Sequence, residues 1–268
     1  MRSRIVVITN QKGGVGKSTT AEALAVGLTI RGHKALLVDL DPQGSVSLTA
    51  GADMSRPTAY EVMTRAASAQ EATQQHTQEG AQEGAQEVKP RADIIPASKQ
   101  LVRLDVELTA TGKEYRLKEQ LAPVLPAYDF IIVDTPPALG FLTVNAMTAA
   151  DALLIPAQAD VYSLQGIGQL METIGAIRAY TNPGLALAGV LLTRHNARSI
   201  LSRDMAEAAR AAAGRIGTFL YSTVIREGVA VREAQANQQP IYEYAPKSNA
   251  AADYMAFTVE FLERSEGL

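Results

Sequence analysis

The chain has 268 residues, of which 47% are apolar and 20% charged, and its formal net charge is −3. That balance suits a globular protein with a substantial core and excludes a general electrostatic attraction to nucleic acid, so any such attraction has to come from a local patch. Cysteine is absent, which rules out disulfides, thiolate zinc sites and iron–sulfur clusters. No apolar run approaches the roughly 18 residues of a membrane span, and no basic-plus-apolar leader opens the chain, so neither a span nor a signal peptide is expected.

An apolar run from Ile5 to Ile8 leads into Gln11-Lys12-Gly13-Gly14-Val15-Gly16-Lys17-Ser18-Thr19. Because this run starts at the fifth residue, no DNA-binding domain is expected ahead of it. A strand that turns through a glycine-rich loop into a helix start aims several backbone N–H groups and the positive helix end at one point, which suits a phosphate chain. Gly13, Gly14 and Gly16 permit the close wrap. Lys17 is placed to reach the β- and γ-phosphates, and the Ser18 hydroxyl to complete the shell of a Mg²⁺ ion. The competing reading, a glycine-rich turn with two solvated lysines, leaves the preceding strand, the following helix and the acidic residues further on as coincidences.

Ala21, Leu24, Ala25 and Leu28 recur at helical spacing within Thr19 to Arg31, with Gly32 as the stop. Ala35 to Val38 reads as a buried parallel strand ending in Asp39-Leu40-Asp41. Asp39 and Asp41, two apart on extended chain, point to one side at the strand end where α/β proteins bind ligands. The alternative makes them caps of the next helix. A short helix is expected over Thr58 to Ala67. From about residue 69 to 90 the chain turns polar, with Thr77-Gln78-Glu79-Gly80, Ala81-Gln82-Glu83-Gly84 and Ala85-Gln86-Glu87-Val88 forming a degenerate repeat, and a mobile insertion or frayed helix is expected there.

Asp93 to Pro96 reads as a strand, followed by two helical stretches around Leu101 to Leu108 and Tyr115 to Leu125. Phe130-Ile131-Ile132-Val133 then runs into Asp134, the pattern of a Walker B strand whose acid holds Mg²⁺, although Asp134 could instead cap the next helix. Ala152 to Pro156, a helix from Ser163 to Tyr180, a strand from Leu185 to Thr193 and a closing helix from Ala250 to Leu262 complete the alternation. Strands separated by helices throughout predict one α/β domain over residues 1–268, with a doubly wound, mostly parallel sheet and helices on both faces. From Arg194 to Lys247 there are eight Lys and Arg against five acids, a local basic excess that scattered surface charges would also produce.

The glycine-rich loop departs from the ordinary phosphate-binding pattern, because the position five before Lys17 holds Lys12 where the first glycine normally stands. With that extra lysine, and with Asp134-Thr135-Pro136-Pro137-Ala138-Leu139-Gly140 as a second switch loop, the chain resembles the ParA/MinD family of deviant Walker A ATPases. The resemblance covers nearly everything outside the polar insertion. It implies that ATP and Mg²⁺ bring two copies of the chain together, with Lys12 crossing to the partner's nucleotide. Gly13 to Thr19 would hold the phosphates, while Thr193 and Ile225 would lie near the base. Ser18, Asp39 and Asp134 would serve the metal, and Asp41 would position the attacking water, with Lys12 and Lys17 as its catalytic companions.

Within the family, the ParA type implies non-specific binding of double-stranded DNA through Arg198, Arg203, Arg226 and Arg232, a ParB-like partner that stimulates hydrolysis, and a cytoplasmic, nucleoid-associated location. Glu227 departs from the family pattern by standing where a basic residue is usual. Cluster-holding relatives are excluded by the missing cysteines. A MinD-like membrane-associated ATPase is the alternative, but the C-terminal segment from Phe257 carries Glu260, Glu263 and Glu266 against Arg264, which anionic lipid would repel.

Overall fold

Residues 5 to 8 alternate between two apolar layers: Ile5 and Val7 enter one, Val6 and Ile8 the other. That is the behaviour of a strand covered on both faces. In the computed structural model, which describes residues 3–75, 91–196 and 200–265, this segment is β1 (Arg4–Ile8). It is followed by α1 (Lys17–Ile30), β2 (Ala35–Asp39), α2 (Ser45–Thr49), α3 (Ala59–Thr64), α4 (Ala69–Ala72), β3 (Asp93–Ile95), α5 (Leu104–Glu107) and α6 (Arg116–Leu121). Next come β4 (Phe130–Asp134), α7 (Phe141–Ala149), β5 (Ala152–Gln158), α8 (Val161–Tyr180) and β6 (Ala186–His195). The described chain closes with α9 (Ile200–Arg215), β7 (Leu220–Arg226), α10 (Val229–Ala236), α11 (Ile241–Tyr244) and α12 (Asn249–Ser265).

The seven strands form one parallel sheet in the order β3-β2-β4-β1-β5-β6-β7. Parallel neighbours need crossovers, and these carry helices to both faces. On one face Leu24 and Leu28 of α1 and Tyr254, Phe257 and Phe261 of α12 pack on Val6, Ile8 and Ile132. On the other, Ala146 and Met147 of α7 and Leu170, Ile174 and Ile177 of α8 pack on Ile5, Val7, Ile131 and Val133. The register sets Asp39 opposite Asp134 and Asp134 opposite Ile8, so the ends of β1, β2 and β4 meet at one edge.

Three stretches differ from the sequence reading. The expected strands end at Thr193, whereas the structure adds the edge strand β7, whose apolar residues are interrupted by the exposed Ser222 and so give no continuous run. The expected helix over Tyr115 to Leu125 breaks into short turns around α6, where Pro123 and Pro126 cannot extend it. The polar stretch is ordered at its start. Ser68 and Glu71 form a capping box on α4, and the buried Gln74 side chain accepts from Asp53 N–H at 2.7 Å and donates to Asp53 O at 2.8 Å. The repeats at 77–88 lie outside the described residues.

Helix α1 lies against α12 at Gly27, where a Cβ would overlap the Thr258 hydroxyl oxygen and come within 3.1 Å of the Tyr242 oxygen. Thr258 is fully buried and its hydroxyl is committed to Tyr254 O at 2.9 Å, so it cannot simply turn away. Gly27→Ala is therefore expected to destabilise the protein by about 1–3 kcal/mol through overpacking. Thermal unfolding would check this, and an unchanged melting temperature would show that the two helices are free to separate.

Candidate functional site

The loop between β1 and α1 is shaped by backbone that L side chains resist: Gly14 has φ 73° and Gly16 φ 84°. Gly16 stands at the N-cap of α1 in the left-handed region and no side chain caps the helix, so its first N–H groups face the loop rather than a capping oxygen. Nothing lies within 4 Å of a Cβ placed on Gly13 or Gly14, which leaves an open cradle. Neighbouring strands brace it. Thr193, at the end of β6, donates its hydroxyl to Val15 O at 2.7 Å, and Gln158, at the end of β5, donates its amide to Gly14 O at 3.1 Å. Asn10 accepts from Lys12 N–H at 3.0 Å and donates to Pro156 O at 2.7 Å.

Lys17 is 7% exposed and donates to Lys12 O at 3.2 Å. Burial pulls its pKa down, against the opposing charges of Asp134 and Asp41. The acids divide in an informative way. Asp39 is fully buried, yet it accepts from Asp41 N–H at 3.0 Å and from Ser47 N–H and hydroxyl at 3.0 and 2.7 Å. Its carboxylate thus holds the turn into α2 and serves the helix-capping reading from a distance. Asp41 accepts from Gln43 N–H at 3.0 Å. Asp134 is fully buried; neither of its carboxylate oxygens has a hydrogen-bond partner of good geometry, and the nearby Ser18 hydroxyl offsets only part of the cost of its charge. A buried anionic oxygen without a donor is costly, and a cation held beside Ser18 would relieve it, so the residues present fit a divalent metal at this point.

Burial first, and then the neighbouring carboxylate, pushes the Asp134 pKa well above the usual 3.8, and burial raises Asp39 to about 6 in spite of its hydrogen bonds. Both groups therefore bind protons more tightly folded than unfolded. Their contribution to stability is fully present below pH 3.8 and is lost as pH rises through the folded values, about 6 for Asp39. In nucleotide- and metal-free protein, Asp134→Asn should raise the melting temperature at neutral pH and hardly change it below pH 3.8. An equal shift at both pH values would show that the buried charge is not its cause.

Beside the loop opens a cavity of about 450 Å³, lined by Thr193 and Ile225 together with Arg226, Arg232, Gln235 and Tyr254. Gln235 of α10 donates to the Thr19 hydroxyl at 2.9 Å and so ties the far wall to α1. Arg226 is clamped by Asp253 of α12, with Nε and Nη2 donating at 2.9 and 2.6 Å, and Arg194 pairs with Glu227 at 3.1 Å. Of the four arginines assigned to DNA, Arg226 and Arg232 thus border this cavity, Arg198 lies outside the described residues, and only the helix carrying Arg203 is described, not its side chain. Asn10, Gln158, Asp160, Gln235 and Asp253 were not singled out from the sequence. Their partners are 2 to 216 residues away, and no local spacing announces the distant ones.

A family model described as an AAA domain matches residues 3–187. The chain is 37% identical over 266 residues to the chromosome partitioning protein ParA of Caulobacter vibrioides, covering 97% of this chain and 94% of that protein. It is 36% identical over 260 residues to the sporulation initiation inhibitor protein Soj of Bacillus subtilis, covering 96% and 97%. Among solved structures, cobyrinic acid a,c-diamide synthase from Mycobacterium smegmatis with bound ADP and magnesium superposes with a TM-score of 0.80 at 30% identity, covering 98% of this chain and 96% of that one. Agreement with ParA and Soj from end to end, rather than over the phosphate loop alone, shows that the chain belongs to the ParA/MinD family of partition ATPases.

Proposed function

We propose that ATP with Mg²⁺ joins two copies of this chain into a nucleotide-sandwich dimer, that the dimer binds double-stranded DNA without reading its sequence, and that hydrolysis of the terminal phosphoanhydride releases it. The observation that carries the reading is the open glycine cradle with buried Lys17 at its base, facing the charges of Asp134 and Asp41. Gly13 to Thr19 would hold the phosphates, and Thr193 and Ile225 the base side of the cavity. Ser18 and Asp134 would hold the metal, with Asp39 fixing the loop behind them. Bound there, Mg²⁺ would neutralise charge on the phosphate oxygens.

Asp41, which lines the same cavity, would orient the attacking water. Lys12 would meet phosphate charge in the other subunit. Such chemistry needs positioning and charge stabilisation more than a nucleophile supplied by the protein. The chromosome partitioning relative supports a role in partition, and the reading adds a ParB-like partner that stimulates hydrolysis and a nucleoid-associated location in the cytoplasm.

The membrane alternative loses support from α12. Its large apolar residues Tyr254, Phe257 and Phe261 are spent in the core, and Glu260 accepts from Ser222 and Thr223 N–H at 2.8 Å, so the helix's main apolar stripe faces the protein rather than lipid. Among the described residues no helix is long and apolar enough to cross a membrane. For DNA, Arg226 already has its charge matched by Asp253, so Arg198, Arg203 and Arg232 are the better candidates for phosphate contacts.

DNA binding measured with ATP, with ADP and without nucleotide over a salt series tests the whole reading. Binding is expected only with ATP, with log affinity falling by about 0.9 per neutralised phosphate for each tenfold rise in salt. Equal binding in all three states would sink the nucleotide switch. Lys17→Ala should weaken nucleotide binding by about 100-fold through loss of charged hydrogen bonds, whereas Asp41→Ala should still bind ATP but fail to turn it over. Full turnover in either variant would remove that residue from its role.

A further inference from the structure

In the single subunit the ammonium of Lys12 is already engaged. It contacts the Asp160 carboxylate and Gln158 Oε1, the latter at 3.2 Å. Gln158 is the last residue of β5 and Asp160 lies two beyond it, with Asp160 N–H donating to Gln158 O at 2.9 Å. The other end of the Gln158 amide holds Gly14 O, and the Lys12 carbonyl accepts from Lys17. Acid, amide and glycine loop are therefore linked by a continuous chain of contacts. The two charged side chains are 28% and 33% exposed, so their attraction is shielded in part from solvent.

An ammonium held by its own chain's carboxylate cannot at the same time offer its full charge to a phosphate on another subunit. We propose that Asp160 is an intrachain latch on Lys12, so that pairing of two subunits requires each Lys12 to exchange Asp160 for the phosphate oxygens of the opposite nucleotide. This rests on the cross-subunit role of Lys12 proposed above and adds the group that opposes it. Two latches open per dimer, so the opposing effect enters twice. A triphosphate, with its additional charge, competes with a single carboxylate better than a diphosphate does. The latch thereby sharpens the difference between ATP and ADP in promoting pairing, and keeps the lone subunit from pairing on weaker anions.

The test is dimerisation followed by sedimentation with a non-hydrolysable ATP analogue and Mg²⁺, for the wild type, Asp160→Asn, Lys12→Gln and the double variant. Asp160→Asn should dimerise at about fivefold lower protein concentration than the wild type, and Asp160→Ser should show the same gain if the neutral isostere perturbs the fold. Added salt should narrow the gap. In the Lys12→Gln background, removal of Asp160 should bring no gain. If Lys12→Gln fails to pair while Asp160→Asn needs as much protein as the wild type or more, the latch is overturned and the cross-subunit lysine stands. If Lys12→Gln pairs as readily as the wild type, both are overturned.

Discussion

The structure turns on two carboxylates that a parallel sheet forces together. Asp39 and Asp134 end adjacent strands in register, and both are fully buried. Like charges in a low-dielectric setting cannot both ionise without compensation, and the protein supplies it unevenly. Asp39 receives three hydrogen bonds from Ser47 and the Asp41 backbone, while Asp134 has only the nearby Ser18 hydroxyl and no partner of good geometry. The buried Lys17 attracts Asp134 and Asp41, so the strand ends gather three carboxylates around a single ammonium. In the absence of ligand this arrangement costs stability, the usual condition of a site built to receive something charged.

Much of the remaining architecture keeps that centre in place. The central strand β1 delivers the loop; Thr193 of β6 and Gln158 of β5 fix its path from neighbouring strands, and Asn10, within the loop, ties it to Pro156 of β5. Helix α1 is pressed onto α12 through Gly27, and α12 in turn supplies Asp253 to Arg226 and Glu260 to β7. The last third of the chain is therefore one wall of the cavity beside the phosphate loop. Three of the arginines that composition marks as a basic surface, Arg194, Arg226 and Arg232, line that cavity, which brings their charge close to the glycine loop. The lone subunit also neutralises Lys12 internally. Asp160, Asp253 and Glu227 pair with Lys12, Arg226 and Arg194, so three of the cations around the glycine loop are each matched by an acid of the same chain.

The glycine-rich loop, the two acidic strand ends and the parallel α/β class are legible in the amino-acid order, because each is written in contiguous residues. Three glycines and two lysines span six positions, and four apolar residues run directly into Asp134. Buried parallel strands read as apolar runs since both faces are covered, and for the same reason the edge strand β7, half exposed and interrupted by Ser222, escaped notice. The start of the polar stretch was misjudged because a capping box and one buried amide outweigh local composition. Which acid is satisfied and which is left short of donors, which arginine is already paired, and that Lys12 is held by Asp160 emerge from the folded chain alone. Those answers depend on hydrogen bonds and ion pairs between groups brought together by strand order across as many as 148 residues, and no periodicity in a single chain records such a meeting.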